Sequence, residues 1–181
     1  MAVDDWNREA PVRVVPYDPS WPSLFDRERA MLERPLAPWL TGPIEHIGST
    51  AVPGLAAKPV IDIMVAVASL AASRASFRAV TELGYVHFPY RPDVMHWFCK
   101  PSPSLRTHHL HLVPFRSPLW MERLAFRDHL RRDPETARQY GELKQRLAVR
   151  YELDREAYTD AKEPFIRAVV ARALALSRST G

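Results

Sequence analysis

The chain has a single cysteine, Cys99, so it can form no internal disulfide and no cysteine metal cage. No apolar run approaches the roughly 20 residues of a membrane-spanning helix. The opening MAVDDWNREAP is too acidic and polar for a secretory signal. Internal repeats and low-complexity tracts are also missing. Lysine is scarce, with 4 residues against 21 arginines, a bias that goes with abundant alanine and reflects genomic composition rather than function. These absences leave a cytoplasmic protein with no membrane partner as the expectation.

What is present describes one domain of ordinary size. The 181 residues are 46% apolar and 25% charged, the proportions of a soluble chain with a real core. The net charge of +4 comes from the C-terminal part, since residues 1–115 hold 11 basic and 11 acidic side chains and residues 116–181 hold 14 and 10. So small an excess suits a phosphorylated small molecule and leaves RNA open. It falls well short of a nucleic-acid footprint.

In chain order, residues 1–11 read as a loose leader. Val12 to Val15 alternates briefly as an edge strand ended by Pro16 and the turn Asp18-Pro19. Ser20 is placed to cap a helix to about Arg34, with Pro22 tolerated in its first turn. A strand over Ile44 to Ile47 breaks at Gly48-Ser49-Thr50, and a second runs from about Val60 to Val67. Ser69 then opens a helix through Leu83, closed by Gly84. Tyr85 to Phe88, His96 to Lys100 and His108 to Phe115 read as further strands. From Pro118 the period turns helical, with helices over Trp120 to Arg132, from Asp133-Pro134 to about Tyr151, and over roughly Asp160 to Leu176. The expected architecture is α+β, a mixed sheet of about five strands over residues 12–115 flanked by helices. A helical C-terminal layer over 118–178 completes a single domain from 12 to 181.

The chemistry centres on IEHIGSTAVPGLAAKPVIDIMVAV. Gly48, Ser49 and Thr50 end a strand, where glycine lets backbone approach a phosphate and the hydroxyls and amides donate to it. The same residues would equally serve a plain strand-to-turn junction. Asp62 is a lone carboxylate on an apolar strand, a costly placement without a cation or a partner. An Asp-x-Asp there would set two carboxylates on one face for magnesium, and Met64 stands in the second place. His109 and His111 share one face of a later strand, a spacing that gives two imidazoles to one metal or a hydrogen-bonded pair without one. Asp62 is the natural third ligand. Glu45 and His46 point to opposite faces, and alternation alone does not say which meets the site. Lys58 can neutralise phosphate as a point charge. Arg123, Arg127, Arg131 and Arg132 make a helical stripe of the kind usually solvated, and Asp128 pairs with Arg127. Cys99 reads as core.

Taken together, EHIGSTAVPGLAAKPVIDI, THHLHLV, LAFRDHLRRDPETARQYGELKQRLA and YTDAKEPFI resemble the GrpB-like family, from VRVVPYDPSWPSLFDRE to the last helix. The resemblance implies a branch of the polymerase-beta-like nucleotidyltransferases, with related domains fused to dephospho-CoA kinase in some bacteria. That superfamily's pattern is Gly-Ser, a carboxylate-x-carboxylate pair and a third carboxylate. Gly48-Ser49 and Asp62 match, whereas Met64 and the histidines depart from it. On these grounds Asp62 is expected to be catalytic and a ligand to a divalent metal, magnesium or zinc, with His109 and His111. Gly48, Ser49, Thr50 and Lys58 are expected to hold a nucleotide or other phosphate, with Glu45, His46, Arg127 and Lys162 as further pocket residues. A CoA-pathway kinase is the expected protein partner. The alternatives are an accessory binding domain and a His/Asp metal-dependent hydrolase.

Overall fold

A computed structural model describes residues 11–179, so the expected leader over 1–11 lies, but for Pro11, outside the described residues. Five strands form one mixed sheet: β1 (Leu40–Ile47), β2 (Ile61–Val67), β3 (Val86–Phe88), β4 (His96–Pro101) and β5 (Arg106–Pro114), in the spatial order β1-β2-β5-β4-β3. Only β2 and β5 pair in parallel; the other three pairings are antiparallel. The α+β architecture is as the sequence predicts.

Strand alternation divides β2 between two cores. Ile61, Ile63, Val65 and Val67 face α1 (Trp21–Leu36), which buries Trp21, Phe25, Leu32 and Leu36 at helical spacing. Two short helices, α2 (Leu70–Ser73) and α3 (Phe77–Glu82), follow β2, and Val80 of α3 joins this core. Asp62, Met64 and Ala66 carry the opposite parity. Met64 and Ala66 pack there with Ile47, Trp97, Cys99 and Val113 against Leu119 and Trp120 of α4 (Pro118–Arg132). Behind α4 come α5 (Pro134–Arg150), α6 (Arg155–Asp160) and α7 (Glu163–Ser179). A third cluster joins Val52 and Leu55, from the turn between β1 and β2, to Leu130 of α4 and Tyr140 of α5. The helical layer is therefore fastened to that turn. No helix of the described residues is long and apolar enough to cross a membrane.

The α1 side carries one buried polar knot. Glu28, 3% exposed, accepts from the Tyr85 hydroxyl at 2.9 Å and from Lys100 Nζ at 2.5 Å. It ties α1 to the sheet.

Four local expectations change. Val12 to Val15 is not a strand but a single bridge, Val15 to Ala57, because Pro11 and Pro16 flank it and the Val12 N–H is taken by the Glu152 carbonyl. The helix expected from Ser69 to Leu83 breaks at a 3-10 turn, Arg74–Ser76, where the Ser73 and Ser76 hydroxyls donate to the Leu70 and Ser73 carbonyls. Ser20 does not cap α1 with its side chain; its backbone N–H instead donates to Asp18 Oδ1 at 2.8 Å. α6 was not expected, and Asp154 caps it by accepting from the Ala157 N–H at 2.9 Å. α5 begins at Asp133-Pro134 as predicted, and Asp133 caps it by accepting from the Glu135 and Thr136 N–H groups.

Candidate functional site

The parallel register sets Asp62 directly beside His109 and Met64 beside His111, on the α4 side of the sheet. His109 Nδ1 donates to Asp62 Oδ1 at 2.8 Å, and His111 Nε2 lies 3.5 Å from the same oxygen. Burial alone would raise the Asp62 carboxyl. The two histidines overcome that and hold it well below the usual carboxylate range. His111 is also lowered, because burial disfavours its imidazolium despite the nearby carboxylate.

The hydrogen-bond inventory of this trio is incomplete. His109 Nε2 and His111 Nε2 are buried with no partner. His111 Nδ1 sits 3.4 Å from the Met95 sulfur. One nitrogen from each histidine and a carboxylate oxygen all lie within 4.8 Å of one another, a donor set that a single divalent ion can bridge. Met64 is fully buried in the core beneath.

The turn before β2 closes over this carboxylate. Gly48 has φ +72° and ψ −170°, and a Cβ on it would stand 2.5 Å from Asp62 Oδ2. Glycine is thus required twice, by conformation and by contact. Ser49 comes next, within hydrogen-bonding reach of the Tyr140 hydroxyl. Thr50 is tied behind the turn: its hydroxyl donates to the Val60 carbonyl at 3.1 Å and accepts from His46 Nε2 at 3.0 Å. His46 stacks on Phe25 on the α1 side, and burial lowers its pKa to about 4. Of the two residues whose facing was open, Glu45 is the one on the α4 side.

Two arginines of the α4 stripe reach the turn, Arg127 from the interior and Arg131 from an exposed position. Arg127, 8% exposed, donates to Glu45 at 2.6 Å, to Asp128 at 2.7 Å and to the His46 carbonyl at 3.0 Å. Arg131 donates to the Ala51 carbonyl at 2.9 Å. Together they grip the turn from both ends, while Arg132 stays exposed as such stripes usually do.

Two expected residues, Lys58 and Lys162, meet at one ring. Their ammonium groups lie 5.1 Å and 4.2 Å from the centre of Tyr158. Lys144 of α5 was not expected here; its ammonium sits 4.7 Å from the centre of the Tyr140 ring and donates to the Ala56 carbonyl. Tyr140 and Lys144 stand one turn apart on α5, Tyr158 and Lys162 are also four residues apart with Lys162 just beyond the end of α6, and that spacing was the only trace in the sequence.

Comparison with known proteins follows the same outline. The profile of the GrpB protein family matches residues 11–172. A UPF0157 protein of Pseudomonas aeruginosa is 40% identical, over 92% of this chain and 69% of that one. A dephospho-CoA kinase of Mycolicibacterium paratuberculosis is 32% identical over 95% of this chain, which spans 48% of that protein. The crystal structure of the conserved protein GrpB from Enterococcus faecalis superposes with a TM-score of 0.83 at 33% identity, covering 91% of this chain and 99% of that one.

Proposed function

The chain belongs to the GrpB family, and we propose that it binds a nucleotide or other phosphorylated small molecule together with a divalent metal. The observation that carries this is the meeting of Asp62, His109 and His111 with two buried imidazole nitrogens lacking partners. Asp62, His109 and His111 would hold the metal, which when bound neutralises charge developing on a transferred phosphoryl group. Gly48 leaves the backbone bare beside Asp62, and Ser49 offers a hydroxyl at the same edge. Arg127 and Arg131 fix the turn so that these groups are placed before the ligand arrives. If the site turns over, nucleotidyl or phosphoryl transfer is the class of reaction.

Met64 supports a second reading, an accessory binding domain without chemistry, because it stands where a paired carboxylate would hold a second ion. The match to about half of a dephospho-CoA kinase adds a kinase of CoA metabolism as its partner. A hydrolase with one resident zinc is the third, resting on the two histidines.

Calorimetric titration with magnesium and zinc tests the common premise. Wild-type protein should take up one equivalent of a divalent ion and Asp62→Asn none. With that ion present, a nucleotide should raise the melting temperature. Equal uptake by both proteins would overturn the metal assignment. No melting shift with any nucleotide would overturn the ligand assignment.

A further inference from the structure

Helix α4 covers only part of the sheet face that carries the Asp62, His109 and His111 trio. It packs over β1 and β5, and the outer end of that face stays open to solvent. Register fixes which residues stand there. Val86 pairs with Cys99 and Phe88 with Trp97, and both partners belong to the core on the α4 side, so Val86 and Phe88 share the face of the trio. His87 turns to the opposite side, against Phe77 and Phe98. Val86, Phe88 and Tyr90 are 38%, 46% and 44% exposed. Apolar side chains gathered on an open edge strand are a liability unless something binds them.

Tyr90 is held in place. Its backbone N–H donates to the Phe88 carbonyl at 2.8 Å, and the Val94 and Met95 N–H groups close the next turn on the Arg91 carbonyl at 3.1 Å and 3.2 Å. The Phe88 and Tyr90 rings both pack edge-to-face with Trp97, at 6.0 Å and 6.3 Å between centroids. The Trp97 ring in turn lies 4.9 Å from that of His109, whose Nδ1 donates to Asp62. An unbroken row of rings therefore runs from the open edge to the trio. Three strand spacings separate β3 from β2, about 14 Å, a distance that a nucleoside triphosphate covers from base to terminal phosphate. A second copy of the chain fits this edge less well, because β3 is three residues long and Pro89 follows it, leaving little ladder for a partner strand to extend.

We propose that Phe88 and Tyr90, seated on Trp97, form a stacking subsite for the base of a nucleotide whose phosphates lie at the trio. This rests on the reading of the trio as a metal and phosphate site, and it selects a nucleotide over other phosphorylated ligands. A base has two flat faces and stacks on aromatic side chains without needing a specific hydrogen bond. The row of rings gives it a place at the far end of the same face.

Isothermal titration with ATP and inorganic tripolyphosphate, in excess magnesium and separately in excess zinc, provides the test. The two probes share a triphosphate chain and differ by the nucleoside. Wild-type protein should bind ATP about fivefold or more tighter, the lower end of what stacking a base contributes. Phe88→Ala and Tyr90→Ala should each weaken ATP, and the double variant should bring ATP to the affinity of tripolyphosphate. Unchanged tripolyphosphate binding in these variants shows that the fold and the trio are intact. Equal wild-type affinity for the two probes overturns the subsite and leaves the phosphate reading in place, as does wild-type ATP affinity in the double variant. Binding of neither probe overturns the phosphate reading and the subsite together. A dimer in sedimentation velocity that Phe88→Ala dissolves would also overturn the subsite, giving the face to a second copy.

Discussion

A methyl group at position 48 would meet Asp62 Oδ2 at 2.5 Å, on a backbone whose φ of +72° already disfavours any side chain. Gly48→Ala should therefore lose about 2–4 kcal/mol of stability, from the strained backbone and the displaced carboxylate together. Urea denaturation measures it, and a loss under 1 kcal/mol would mean that the turn relaxes away from Asp62. At this scale much was legible. Glycine at a strand end, followed by an acid on an apolar strand, is a pattern with a physical cause, and so are two histidines at strand spacing. The phase of β1 was not. Alternation says that Glu45 and His46 oppose each other, but only Phe25 stacking on His46 and Arg127 reaching Glu45 say which side each takes. The role of Thr50 was equally hidden, because its partners are a carbonyl ten residues on, just before β2, and a histidine of the preceding strand.

Between elements, the joint that matters most is α4 against the turn. Arg127 is the single side chain joining Glu45, Asp128 and the His46 carbonyl, so truncating it strands a half-buried carboxylate and a buried carbonyl at once. Arg127→Ala should cost about 3 kcal/mol, in line with the loss of one partner of a buried ion pair. The double variant with Glu45→Ala should recover part of that, because it removes the orphaned charge. A double-mutant cycle read by chemical denaturation checks both, and strict additivity of the two changes would show the pair uncoupled. The stripe itself was visible as helical spacing. Its direction was not, since periodicity marks apolar faces and an inward arginine looks like an outward one. The same blindness hid the lysines against the tyrosine rings: Tyr140 and Lys144 are an ordinary pair on α5, Lys162 lies between α6 and α7, and only the fold brings Lys58 from the loop before β2 to the Tyr158 ring beside Lys162.

For the molecule as a whole, these buried charges predict how stability depends on pH. Lys144 and Lys162 have folded pKa values of about 7, lowered from 10.5, so between those limits the unfolded chain binds protons that the folded chain does not. Stability then rises with pH across that window, by at most about 1.4 kcal/mol per pH unit for each lysine. Burial sets the sign of both shifts; Lys162 and Lys58 reinforce it at Lys144, Lys58 and Arg123 reinforce it at Lys162, and Asp62 and Glu163 oppose it at Lys162 only. Tyr140 and Tyr158, raised above their usual value of 10.0 by burial, reverse the slope above about pH 10. On the acid side His46, lowered from 6.5 to about 4, withdraws stability as pH falls between those values. Thermal melts from pH 5 to pH 9.5 should accordingly show a melting temperature that climbs through neutrality and is still climbing at pH 9. A ligand-free melting temperature that is level between pH 7 and pH 9 would mean that the two amines keep their protons without help, and that the fold has already compensated the charges it gathers there.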